Sequence, residues 1–137
     1  SGTTPLTAIT FSGNDVEAAG TVTANNVFTD FIDRGTRSTT TNVDWSASAY
    51  HEIGTSTSNF AITFTNEPAS GKFGQIMIMI QNSVTGGVSL TWPSEVKWSG
   101  GVKPLTPSAP LAEQLYQFFT VDGGTNVYGA VVGQNFA

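Results

Sequence analysis

The side chains that could do chemistry are few and scattered. His51 is the only histidine, and Glu52 follows it. A histidine base needs an oriented nucleophile beside it, and no Gly-x-Ser-x-Gly or comparable setting surrounds any serine. Asp30 and Asp33 are close in the chain, with Asp15, Glu17 and Asp44 elsewhere. Paired carboxylates can serve hydrolysis or hold a hard cation, but no loop of calcium-binding spacing accompanies them. Asp122-Gly123-Gly124-Thr125 has some likeness to an anion or calcium turn, yet a hairpin turn accounts for each of its residues. There is no cysteine, which excludes disulfides and thiolate metal sites. With no acid–base pair to name, the residues point away from an enzyme. Neither a metal nor a cofactor is expected.

The aromatic residues suggest a different use. Trp92 and Trp98 stand on either side of Pro93 in TWPSEVKWSGG, and an exposed tryptophan or tyrosine can stack on the face of a sugar. Trp92 closes an alternating run in phase with Val88 and Leu90, which predicts burial. Trp98 shares the phase of Val96 and precedes Ser99-Gly100-Gly101. That placement predicts a plug at one end of the domain, its indole N–H needing a partner if buried.

Composition narrows the possible partners. The chain has 137 residues, the usual size of one domain. Only 11% of them are charged, against roughly 25% in average domains. Serine, threonine, glycine and asparagine fill the surface instead, so little repulsion keeps copies apart. The net charge is −5, and the five cations Arg34, Arg37, Lys72, Lys97 and Lys103 form no stripe. This argues against nucleic acid as a partner. The longest apolar run, Ile76 to Ile80, is of strand length and cannot cross a membrane as a helix. The opening SGTTPLTAIT lacks the basic and apolar regions of a signal peptide.

The elements that must position these residues follow a period of two. Phe60, Ile62 and Phe64 face one side of a half-buried strand. Gln75–Gln81 is apolar on both faces and predicts a central strand covered on both sides, with Met77 and Met79 filling one irregular face. Gly86-Gly87 leads into a strand over Val88–Trp92. The run from Leu115 to Val121, then Asp122-Gly123-Gly124-Thr125, then Asn126 to Val132, predicts a hairpin. A helix opening at Pro110 is the weaker alternative, because an aromatic, β-branched run ends at that turn. The polar run Gly35–Asn42 predicts a linker. The reading is therefore all-β: an antiparallel, jelly-roll-like β-sandwich over 42–137, preceded by an extended arm with short strands over 1–41.

The stretches TWPSEVKWSGGVKPLT, LYQFFTVDGGTNVYGAVVGQNFA and SNFAITFTNEP…GKFGQIMIMIQN resemble a module of bacteriophage virion proteins, especially from phages of marine and cyanobacterial hosts. ITFSGNDVEAAGTVTANNV is similar to connecting segments of phage fibre-like proteins. The resemblance implies a non-enzymatic protein on the outer surface of the phage particle. A short arm plus one β-domain looks like a capsid decoration or cement protein. Such a protein works as a homotrimer whose partners are the major capsid protein and copies of itself. On this reading Phe11, Val27, Phe28, Phe31 and Ile32 of the arm contact neighbouring subunits or the capsid. The alternative the resemblance allows is a tail-fibre tip, in which Trp98 or Tyr50 stacks on host surface glycan.

Overall fold

Alternation of large apolar with small polar residues makes strands, and a computed structural model places them. It describes residues 30–83 and 87–136. The strands are β1 (Ile32–Arg37), β2 (Thr41–Asp44), β3 (Tyr50–Thr55), β4 (Phe60–Thr65), β5 (Gly74–Gln81), β6 (Leu90–Thr91), β7 (Val96–Trp98), β8 (Glu113–Thr120) and β9 (Val127–Phe136). Among the described residues the only helical element is one short 3-10 turn, Ser99–Gly101, so the chain is all-β as expected.

Two sheets form, one of six strands in the order β1-β3-β5-β8-β9-β7 and one of three in the order β2-β4-β6. From β1 to β6 the chain enters the two sheets alternately. Each strand lies parallel to the one before it in its own sheet: β1 with β3, β3 with β5, β2 with β4, and β4 with β6. The chain thus winds as a coil, adding one strand to each sheet per turn. Antiparallel pairing is confined to β5 with β8 and β8 with β9. This corrects the antiparallel, jelly-roll-like pairing expected from the sequence. Side-chain alternation is the same in both kinds of ladder. Parallel neighbours need a long crossover, usually a helix, and here a strand of the opposite sheet serves.

The polar run Gly35–Asn42 is not a linker. Gly35–Arg37 ends β1 and Thr41–Asp44 makes β2. Pairing with β3 and β4 makes strands of these stretches although Gly35, Asn42 and Asp44 are of types depleted in strands. The edge strand β1 therefore comes from the stretch that sequence alone assigned to the arm.

One apolar cluster joins the inward faces of both sheets, including Val43 and Phe64 from the small sheet and Ile53, Ile78, Tyr116 and Phe118 from the large one. At its centre Phe64 of β4 meets Phe118 of β8 edge to face, with ring centres 5.2 Å apart. Trp92 sits 4.9 Å from Tyr116 and 5.1 Å from Phe118. The burial predicted for Trp92 is therefore observed, and Phe60, Ile62 and Phe64 are likewise buried on one face.

Polar side chains finish what the strands leave open. Asn82, inside the protein, accepts from Thr55 Oγ1 at 3.2 Å and donates to the Ala109 carbonyl at 2.9 Å. Residues 102–108 run beside β6, whose second edge would otherwise be bare. Lys103 Nζ donates to the Leu90 carbonyl at 3.2 Å, and Thr106 Oγ1 donates to that of Val88. Such side-chain bonds satisfy edge carbonyls that no strand reaches.

Candidate interaction surface

The residues with catalytic chemistry are taken up by the fold. His51 is fully buried in β3, and its Nε2 lies 3.1 Å from the Ser48 carbonyl. The Ser48 hydroxyl does not approach the imidazole; it bonds to the backbone of Asp30 and Tyr50. His51 Nδ1 has no hydrogen-bond partner among the described residues. Burial, with a smaller contribution from the Arg34 charge, holds the His51 pKa below the ordinary 6.5.

The sign of the resulting pH effect follows. The unfolded chain takes up the His51 proton first, so stability is full above pH 6.5 and falls as pH drops toward the lowered native value. Asp44 and Asp122 are held below the ordinary 3.8, Asp44 mainly by its bond from the Ser46 side chain and Asp122 mainly by the Asn126 backbone N–H. Their contribution is lost as pH falls below 3.8. Urea melts at a series of pH values should show two separate losses, and His51→Gln should remove the upper one alone. A wild-type profile flat from pH 7 to about 4.5 would refute this.

Of the candidate carboxylates, Asp33 and Asp44 are hydrogen-bonded within the fold, and Asp15 and Glu17 lie outside the described residues. Asp33 Oδ1 accepts from the Gly35 N–H at 2.7 Å. Among the described residues no three His, Cys, Asp or Glu side chains come together as a metal cage would need. Asp122 makes the hairpin turn predicted for it. Its Oδ1 accepts from the Asn126 N–H at 2.9 Å and its Oδ2 from Asn126 Nδ2 at 2.7 Å, while Gly123 and Gly124 adopt φ of 73° and 79°. The buried Thr120 hydroxyl donates to the Asn126 carbonyl and accepts from the Gly124 N–H, closing the loop on itself.

Trp98 and Tyr50, the two candidates for stacking on sugar, are not brought together. Trp98 is half-buried in β7, its ring against Trp92, Tyr116 and Phe118 at 5.5, 6.1 and 5.7 Å. It also forms part of an open depression of about 260 Å³ shared with Ser99, Val102 and Gln134. Tyr50 lies in β3 on the opposite face of the large sheet, with β5, β8 and β9 between the two. Of the proposed contact residues, Phe31 is exposed and packs edge to face on Tyr50 at 6.2 Å. Ile32 is half-buried and pairs in register with His51. Phe11, Val27 and Phe28 lie outside the described residues.

What the topology does assemble is a surface. An antiparallel or mixed sheet with one face on the core ordinarily carries polar residues on the other. On the outer face of the large sheet, the register instead aligns Tyr50 with Met77, and Met79 with Leu115. Phe119 of β8 pairs with Tyr128 of β9, their rings stacked at 5.0 Å, and Phe73 lies 6.0 Å from Phe119. Phe73, Phe119 and Tyr128 are 64%, 38% and 44% exposed. Met77 and Met79 are half-buried, so the sequence-based expectation of a strand covered on both faces is corrected. β5 is central in the sheet, and among the described residues its isoleucine face is fully buried while its methionine face is half-buried. Two polar pairs, Gln75 with Gln117 and Gln81 with Glu113, lie on the same face between these apolar groups. Exposed apolar groups of this kind on a folded chain mark contact surfaces. The sequence signal was present in Leu115 and Phe119, which share the outward phase of β8 with Glu113 and Gln117. It was not legible until β8 was known to lie beside β5.

No known protein family, curated protein or solved structure matches the chain.

Proposed function

We propose that this protein is a non-enzymatic structural component of a phage virion, decorating the outside of the capsid as a homotrimer. The observation that carries the reading is the aromatic and methionine-rich outer face of the six-stranded sheet. The chain builds a contact surface, while His51 and Asp122 are bonded within the fold. The resemblance of TWPSEVKWSGG and the Asp-Gly-Gly-Thr hairpin to phage virion modules supplies the setting. In that setting Phe31 and Ile32, with Phe11, Val27 and Phe28 before them, contact neighbouring subunits or the major capsid protein. A protein that binds only the assembled shell stabilises it by mass action.

Co-sedimentation with purified expanded capsids tests this. Saturable binding that raises the temperature of shell rupture is the expected result. Protein left in the supernatant at every concentration, or turnover of a substrate by the purified chain, refutes it. The depression beside Trp98, rimmed by Ser99 and Gln134, favours a second reading as a tail-fibre tip that binds host glycan. A glycan array separates the two. Gln134→Ala is the variant to use, because Trp98→Ala would also strip a ring from the core.

A further inference from the structure

The outer face of the large sheet differs at its two edges. On the β1–β3 side Phe31 packs on Tyr50, and Asp33 lies in register with Glu52. On the β9–β7 side Phe119 stacks on Tyr128, and Lys97 pairs with Tyr128. Each side of the face thus carries an aromatic pair, with Phe31, Phe119 and Tyr128 exposed and Tyr50 half-buried. Carboxylates lie beside one pair and an ammonium beside the other. Between them lie Met77, Met79 and Leu115, together with the polar pairs Gln75–Gln117 and Gln81–Glu113, so the one carboxylate in the middle, Glu113, is bonded to Gln81. Methionine side chains adapt to irregular contacts, which suits the middle of such a face.

We infer that copies of this chain associate through this face, the Phe31–Tyr50 edge of one copy meeting the Phe119–Tyr128 edge of the next. Charge selects this arrangement. Rotation about an axis running across the strands would set the Asp33–Glu52 side of one copy over the same side of its neighbour, and like charges brought together disfavour that mode. Rotation about an axis parallel to the strands sets the acidic edge beside the Lys97 edge. The contact is then between unlike edges, and such contacts close into rings when the rotation permits. The face has no cluster of cations to attract a polyanion or an anionic bilayer. The inference rests on the reading above only for the number of copies, three.

The test is sedimentation of the full chain over a concentration series. The wild type should sediment at the mass of three copies. Phe31→Asp and Tyr128→Asp, one on each edge, should each weaken association by about tenfold or more while leaving the thermal transition in place. Leu105→Asp, at an 86% exposed site away from the face, should leave assembly unchanged. The decisive arm mixes the two edge variants. Each lacks a different edge, so together they should restore one contact and form a heterodimer that neither forms alone. A wild type monomeric at all concentrations overturns the inference. So do edge variants that assemble normally, loss of assembly in Leu105→Asp, or a mixture that stays monomeric. A monomeric chain that still binds capsids would overturn this inference and leave the virion role standing. A trimer that ignores capsids would do the reverse.

Discussion

Replacing Phe118 with alanine lowers the unfolding free energy by about 3–5 kcal/mol, the largest loss expected of any single truncation in this chain. Phe118 is fully buried, and its ring touches partners from both sheets: Phe64 at 5.2 Å, Trp92 at 5.1 Å and Trp98 at 5.7 Å. Removing it deletes the transfer term and leaves a cavity walled by rigid rings, which cannot collapse to refill it. The melting temperature should fall by roughly 10–20 °C. Urea unfolding should show an earlier midpoint with an unchanged slope. A loss under about 1 kcal/mol would mean that the two sheets do not depend on this ring for their contact.

The second large effect is expected at Gly129, where the difficulty is too much volume. Gly129 pairs with Phe118 on one side and Trp98 on the other. A Cβ there would come within 2.8 Å of the Phe118 ring and 3.1 Å of the Trp98 ring. The Phe118 ring is fully buried against Trp92, so it has little room to move, whereas Trp98 can yield only toward the depression it lines. Gly129→Val should therefore cost about 2–3 kcal/mol through overpacking. The cause can be separated from a general β9 defect by combining Gly129→Val with Phe118→Leu, which opens room at the clash. The double variant should be more stable than the sum of the single losses by about 1 kcal/mol. Strict additivity would place the damage elsewhere.

Local pattern carried much of the fold. Phe60, Ile62 and Phe64 declared one strand face, because a period of two directly records which side meets the core. The burial of Val88, Leu90 and Trp92 was legible too, although only Leu90–Thr91 of the expected Val88–Trp92 strand is one. The β8–β9 hairpin was legible from Asp122-Gly123-Gly124, since positive φ in successive residues is a demand that glycine meets and few others do. Strand direction was not legible. Nothing in the alternation of Tyr50–Thr55 or Gly74–Gln81 distinguishes a parallel neighbour from an antiparallel one, and the crossovers contain no helix to announce themselves. β1 was missed because Asp33, Arg34, Gly35 and Thr36 show no apolar alternation and Asp and Gly are depleted in strands, so only the pairing with β3 reveals it. The interaction face emerged only from register. Met77, Met79, Leu115, Phe119 and Tyr128 come from three separate strands, and each alone reads as an ordinary apolar residue.

Winding both sheets at once has a consequence for how the protein is made. The ribosome delivers β1 through β6 before β8 exists, yet β8 completes the pairing of β5 and brings Phe118 to Phe64 and Trp92. Until residues 113–120 emerge, the nascent coils have an unfinished interior and a bare strand edge along β5. Contacts between such distant segments slow folding, and exposed edges invite pairing with the wrong chain. The vulnerable interval in the life of this molecule is thus the stretch of translation between β6 and β8. Chaperone capture, or a stall at that point, would decide how much native protein a cell obtains.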